Sequence, residues 1–411
     1  MPKEILIDKL AKLVVEIGAN VQKDQIVVIN APTDAAEIAR KVTKNAYLAG
    51  AKEVFINWRD ELTSRYAYEY QTIETLEFIP QFVIDRMRFF VDNGACVISI
   101  VSPIPEANKG IDSSKIQAAG IASSKALSFY REHMMGNRSQ WTIIAASNPV
   151  WAKKVFPDLE ENEAVEALWD AIFAASRVKE DTDPIEEWNK HNSQLISHNK
   201  VLNDFQFDSL HFTNKLGTDL TVKLVNNHVW SGGQESATNG VVFNPNIPTE
   251  ENFTMPHKYG VNGKVVATKP LDYQGNLIED FWLEFKEGRV VNYDAKKEKS
   301  TLKNLLEFDE GSSYLGEVAL IGFDSPISQA NILFFNTLFD ENASCHLALG
   351  RAYPMNIKGG TEMKIEELEK YGYNNSMSHS DFMFGSEDMN IEGITKTGEK
   401  IQIFKNGNFV I

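Results

Sequence analysis

Partway along this chain of 411 residues the spacing of the apolar residues changes, and that change limits the folds open to it. In the first half, short apolar runs alternate with stretches of helical period, whereas in the second half apolar and polar residues alternate with period two. The runs QIVVIN at 25–30, EVFINW at 53–58, CVISIV at 96–101 and WTIIAA at 141–146 read as strands covered on both faces. Helical patterns at 35–48 and 73–93 lie between them. Alternation of this kind predicts an N-terminal α/β domain built on a parallel, doubly wound sheet. A further helix over 160–178 is broken by the polar KEDTDP at 179–184 and resumes to about residue 202. Beyond it, 210–214 and 220–225 form a hairpin pattern, and strands follow at 264–268, 281–285 and 289–293. Short helices are expected at 300–306, with Ser300 as the cap, at 327–335 and at 365–371. The expectation is therefore an α/β domain over 1–203 and a mainly β (α+β) catalytic domain over 204–411.

Composition removes several classes of function. A formal net charge of -16 opposes the phosphate backbone of a nucleic acid. No 18 apolar residues run together without charge, which argues against a membrane span. Residues 1–15 carry charges throughout and read as an amphipathic helix, not a secretion signal. Cys96 and Cys345 are the only cysteines and make no CxxC spacing, which fits the cytoplasm. On that reading the N-x-S/T patterns at Asn252, Asn342 and Asn374 are not glycosylation sites. The phosphate-cradling GxGxxG and GxxxxGK are absent, as are the HExxH zinc helix and the GxSxG elbow.

What remains is a set of metal-ligand residue types in the second half: Glu251, Glu317, His346, His379 and Asp381. His379 and Asp381 are spaced i, i+2, so on an extended strand they share a face and can approach one ion; a hydrogen-bonded pair at a strand end has the same spacing. Glu317 heads the apolar run VALI and needs a partner, because an unpaired buried carboxylate costs several kcal/mol; a lysine or arginine meets that need as well as a metal does. His346 sits in a small, apolar stretch where a core histidine is equally at home. Glu251, just after Pro248, reads by itself most simply as a loop or helix-start acid. Taken together, the nitrogen and oxygen donors suit zinc, cobalt or manganese. With two divalent ions the three carboxylates leave a single positive charge, which a bridging hydroxide neutralises, as in two-metal hydrolases.

The segments around these residues, NIPTEENFT at 246–254, YLGEVAL at 314–320, ENASCHLALGRAYP at 341–354 and HSDFMFG at 379–385, resemble those of the aminopeptidase T and aminopeptidase S family of metallopeptidases, also called thermophilic metalloproteases. The likeness extends over essentially the whole chain. It implies that Glu251, Glu317, His346, His379 and Asp381 hold two divalent ions, with Tyr353 at the reaction centre and Glu341 as a further acid or proton carrier. Asn252 departs from the apolar residue expected after the first ligand and bears on local packing only. The resemblance also implies a cytoplasmic homodimer that hydrolyses N-terminal residues from peptides by metal-activated water, with Glu317 as bridging ligand or base and the Tyr353 hydroxyl as oxyanion donor. The rival readings are a two-metal phosphoesterase or amidohydrolase, and a non-catalytic metal- or peptide-binding protein.

Overall fold

Strands that are apolar on both faces need cover on both, and the first half of the chain supplies it. The computed structural model describes residues 2–411. Strands β1 (Ile26–Pro32), β2 (Glu53–Arg59), β3 (Cys96–Val101) and β4 (Trp141–Ala145) form one parallel sheet in the order β2-β1-β3-β4. Val27, Ile29, Ile98 and Ile100 are fully buried, as are Val28 and Ala145, so both faces of the inner strands are covered. β2 lies at one edge and is correspondingly less buried.

Helices Pro2–Leu13, Ala36–Leu48, Gln81–Asp92 and Glu161–Ala175 accompany this sheet. The first continues through a π turn at Val14–Gly18, and Met1 lies outside the described residues. The helical stretch expected over 73–93 is two helices, Ile73–Glu77 and Gln81–Asp92, because Pro80 has no N–H to continue a helix and instead starts the second. Three further helices, Glu61–Tyr70, Ser113–Ala126 and Ser128–Met135, have little or no buried face and so left no apolar stripe to read. A two-strand ribbon, β7 and β8 in chain order (Glu235–Ser236 and Val242–Phe243), also belongs to this half.

The second half is antiparallel. Strands β5 (Ser209–Thr213), β6 (Asp219–Leu224), β10 (Pro256–Val266), β11 (Leu271–Tyr273), β12 (Asn276–Lys286), β17 (Asn390–Ile394), β18 (Lys400–Lys405) and β19 (Asn408–Phe409) run in the order β11-β12-β10-β6-β5-β17-β18-β19, and β13 (Arg289–Lys297) pairs with β12. A separate four-stranded sheet, β16-β15-β14-β9, comprises β9 (Asn252–Thr254), β14 (Leu315–Leu320), β15 (His346–Gly350) and β16 (His379–Met383). Phe212, Phe281, Leu283, Val318, Leu347, Phe382 and Phe384 join one apolar core from both sheets. The helix at Lys299–Leu306 is preceded by Glu298 in the left-handed conformation, so Ser300 lies inside the helix and is not its cap. The helix expected over 327–335 stops after Ala330, where Asn331 turns left-handed.

Two compact units result, one of residues 1–190 with 234–248 and the other of 191–233 with 249–411. The division at 190/191 falls inside the helix Pro184–Phe205, not after it at 203/204, and the chain returns to the first unit for fifteen residues. A helix uninterrupted in sequence carries no signal of such a division.

Candidate metal centre

Each strand of the small sheet delivers a candidate ligand. Glu251 immediately precedes β9, Glu317 lies on β14, His346 opens β15, and His379 and Asp381 lie on β16. The register places Glu317, Ala348 and Asp381 in one row across three strands, and Ala319, His346 and Met383 in the next. Since side chains alternate between faces, the set shares one face, with Glu251 reaching it two residues before Phe253, the partner of Ala319. Small residues at Ala319, Ala348 and Gly350 leave room between the ligands. The ladder also shifts register between Leu315 and Glu317, a bulge of the kind that re-aims a side chain beside a functional site.

Their geometry resolves into two overlapping trios, Glu251, Glu317 and His346 in one, Glu317, His379 and Asp381 in the other, each offering donor atoms within 4.8 Å of one another. His346 Nε2 is 3.2 Å from Glu317 Oε1 and 3.4 Å from Glu251 Oε2. His379 Nε2 is 3.8 Å from Glu317 Oε2 and 3.3 Å from Asp381 Oδ1. The two oxygens of Glu317 therefore face different trios. His379 Nδ1 donates to the Arg351 carbonyl at 2.7 Å, which leaves Nε2 as the atom directed at the carboxylates. His346 Nδ1 is buried without a hydrogen-bond partner.

Electrostatics explain why this cluster needs a cation. Among the described residues no lysine or arginine pairs with Glu251, Glu317, Glu341 or Asp381; the two histidines are their cationic partners. Burial pushes the Glu317 carboxyl up, against the hydrogen bond from His346, and Glu251 and Asp381 add to the rise. Glu341 is held well above the usual carboxylate range by burial and by Asp381 and Glu251. Burial opposes charge on His379, yet Asp381 and Glu317 outweigh it and raise the imidazole to about 10; Glu251 and Glu317 act likewise on His346. Asp381, in contrast, is lowered: burial works against its charge, but His379 prevails. A set of buried and half-buried carboxylates whose cationic partners are histidines is the donor chemistry that divalent cations satisfy.

Tyr353, on the loop after β15, is 36% exposed; its ring lies 4.9 Å from that of His379 and 6.4 Å from that of Phe253. Partial burial and the nearby Glu317 and Asp381 raise its phenol, which stays protonated. A cavity of about 240 Å³ opens beside His379 and Asp381, walled by Leu271, Leu333, Phe335, Asp340 and Glu341. Asp340, pushed up to about 6 by burial, accepts the Phe334 N–H at 2.7 Å and the Asn336 N–H at 2.9 Å, and so fastens the turn that forms one wall.

The structure brings all the sequence-derived residues, Glu251, Glu317, Glu341, His346, Tyr353, His379 and Asp381, to this one region. The three asparagines that the sequence analysis set aside as sequons support it. Asn342 Oδ1 accepts the Glu250 N–H at 2.8 Å, and Asn374 Nδ2 lies within 2.6 to 3.2 Å of the Gly311, Tyr314 and Gly350 carbonyls. Asn252 Nδ2 donates to the Leu195 carbonyl at 2.9 Å. All three are fully buried, so their sequon patterns are incidental to their packing role. Gly232 is needed for closeness, since a Cβ there would strike the Glu251 carbonyl.

A sequence profile of the thermophilic metalloprotease family (M29) matches residues 3–409. The chain belongs to that family. Among relatives of known annotation, it is similar to aminopeptidase AmpS of Bacillus subtilis (strain 168), 50% identical over 401 residues and 97% of each chain. It is similar also to aminopeptidase 2 of Geobacillus stearothermophilus, at 46% identity over 98% of this chain and 97% of the relative. Among solved structures, wild-type AmpT from Thermus thermophilus superimposes with a TM-score of 0.91 at 37% identity, covering 99% of both chains. The M29 fold thus accounts for the parallel sheet followed by antiparallel ones, and membership makes the ligand-rich sheet the place to seek its metal. No described helix is long and apolar enough to cross a membrane.

Proposed function

We propose that this M29 protein is an aminopeptidase that removes single residues from the free N-terminus of peptides, using two divalent ions. Glu251, Glu317 and His346 would hold one, and Glu317, His379 and Asp381 the other. The observation that carries the reading is Glu317, whose two carboxylate oxygens face separate trios, as a bridging ligand must. The aminopeptidase names of relatives at 46–50% identity support the substrate class. Bound there, the ions supply Lewis acidity and water activation at neutral pH.

The remaining roles fall to this chain's side chains. Tyr353 keeps its hydroxyl proton and donates it in a hydrogen bond to the oxyanion that develops on the scissile carbonyl. Glu341, half-buried beside the cluster and lining the cavity, carries a proton between water and the leaving amine. The cavity beside His379 and Asp381 receives the first residue of the peptide, and its carboxylates attract the free ammonium group. Zinc, cobalt and manganese all suit the oxygen and nitrogen donors. A cytoplasmic homodimer completes the proposal.

Chelation should abolish hydrolysis of aminoacyl amides, and added zinc, cobalt or manganese should restore it; undiminished activity in metal-free protein would exclude the reading. A panel including phosphoesters separates it from a two-metal phosphoesterase.

A further inference from the structure

We infer that Asp309 is a positioning residue for only one of the two trios, that of Glu317, His379 and Asp381. This inference rests on the two-ion reading above. Asp309 lies between the helix Lys299–Leu306 and β14 and is itself none of the proposed ligands. Its carboxylate receives a dense set of donors. Oδ1 accepts from the Ser312 N–H (2.9 Å), the Ser312 hydroxyl (2.9 Å) and the Ser376 hydroxyl (2.8 Å). Oδ2 accepts from the Met377 N–H (2.6 Å) and lies 3.0 Å from the same Ser376 hydroxyl. Bonds to an ionised acceptor are roughly twice as strong as neutral ones, so residues 376 and 377 are firmly held.

From there the connection to His379 is continuous. Ser378 donates its N–H to the Ser376 hydroxyl oxygen at 3.1 Å. The Ser378 hydroxyl lies 2.9 Å from Ser312 Oγ and 3.2 Å from Ser376 Oγ, within hydrogen-bond reach of both. The Ser378 carbonyl in turn accepts the Arg351 N–H at 2.7 Å, and the Arg351 carbonyl accepts His379 Nδ1–H at 2.7 Å. Gly350, at φ +106°, lets the two backbones come this close, because a Cβ there would strike the Ser378 carbonyl. Both the position and the tautomer of His379 thus depend on a segment that Asp309 anchors.

The other trio is braced separately. Glu250, next to Glu251, is held by Asn342, and His346 lies in the ladder between β14 and β16. None of the Asp309 bonds reaches these residues. An asparagine at 309 offers one acceptor oxygen in place of two and turns an amide N–H₂ towards donors, so the 376–378 segment loosens without removing any ligand.

The test is a Co²⁺ titration of metal-stripped, full-length protein, followed by calorimetry and visible absorption, for the parent, Asp309→Asn and the milder Ser376→Ala. The parent should take up two ions. In Asp309→Asn one ion should bind as in the parent and the other should be weakened roughly 10- to 100-fold, with a smaller shift in the same ion for Ser376→Ala. Equal weakening of both ions, or no change in either, would overturn the inference. If Asp309→Asn does not fold, Ser376→Ala alone decides between one ion shifted and both or neither. A parent that takes up only one ion would refute the two-ion reading itself, a result separate from any variant.

Discussion

Tyr353 and Asp381 lie in the same small region and are assigned different tasks, which makes them separable by substitution. Tyr353→Phe keeps the ring beside His379 and removes only the hydroxyl. Both ions should remain while turnover falls by about 10²-fold or more, the scale on which loss of one oxyanion donor is felt. Asp381→Asn removes a negative charge from the donors that would hold an ion together with Glu317 and His379, so metal content should drop with turnover. Emission spectrometry for metal and steady-state kinetics on the two variants decide between these roles; a metal-free Tyr353→Phe would make Tyr353 a ligand. Most of the candidate ligands stood out in sequence because they break their local pattern: a glutamate heading VALI, a histidine amid small apolar residues, an HxD pair; Glu251, a loop acid, did not. Their support was not legible in sequence. Asn342 and Asn374 act through backbone groups distant in sequence, and hydrogen bonds to a main chain leave no residue-type signature in the partner.

At the scale of elements, the β16-β15-β14-β9 sheet gathers the candidate ligands, and its inner strand β15 supplies space as well as a candidate donor. Ala348 stands in register between Glu317 and Asp381 on the ligand face. Ala348→Val favours the strand by intrinsic preference but places a branched side chain between the two carboxylates. Bound metal should fall sharply while far-ultraviolet circular dichroism stays at the parent's; retention of both ions would show that the space above Ala348 is not used. The parallel strands were readable because they are short and continuously apolar, whereas β14 and β15, interrupted by Glu317 and opened by His346, were not read as strands. Helices with no buried residue, such as Glu61–Tyr70 and Ser113–Ala126, offered no such stripe. The bulge at Glu317 depends on pairing with β15, and pairing is a property of two segments at once.

On the scale of the molecule, the sequence foretold an α/β half and a mainly β half, but not how the chain is divided between them. Residues 234–248 return to the first unit after the second has begun, a path that follows from long-range pairing such as the parallel bridge between Ile143 and Asn246. Each unit owns a core of buried apolar residues, so secondary structure should persist after chelation while activity does not. The central claim is that two ions and a free N-terminus are both required for hydrolysis. It is tested most directly by adding zinc stepwise to metal-free protein and following cleavage of one peptide beside its N-acetylated twin. Cleavage of the unblocked peptide should rise to a plateau near two ions per chain, with the acetylated twin left essentially uncut. Full activity before any metal is added, or equal cleavage of both peptides, would contradict the account.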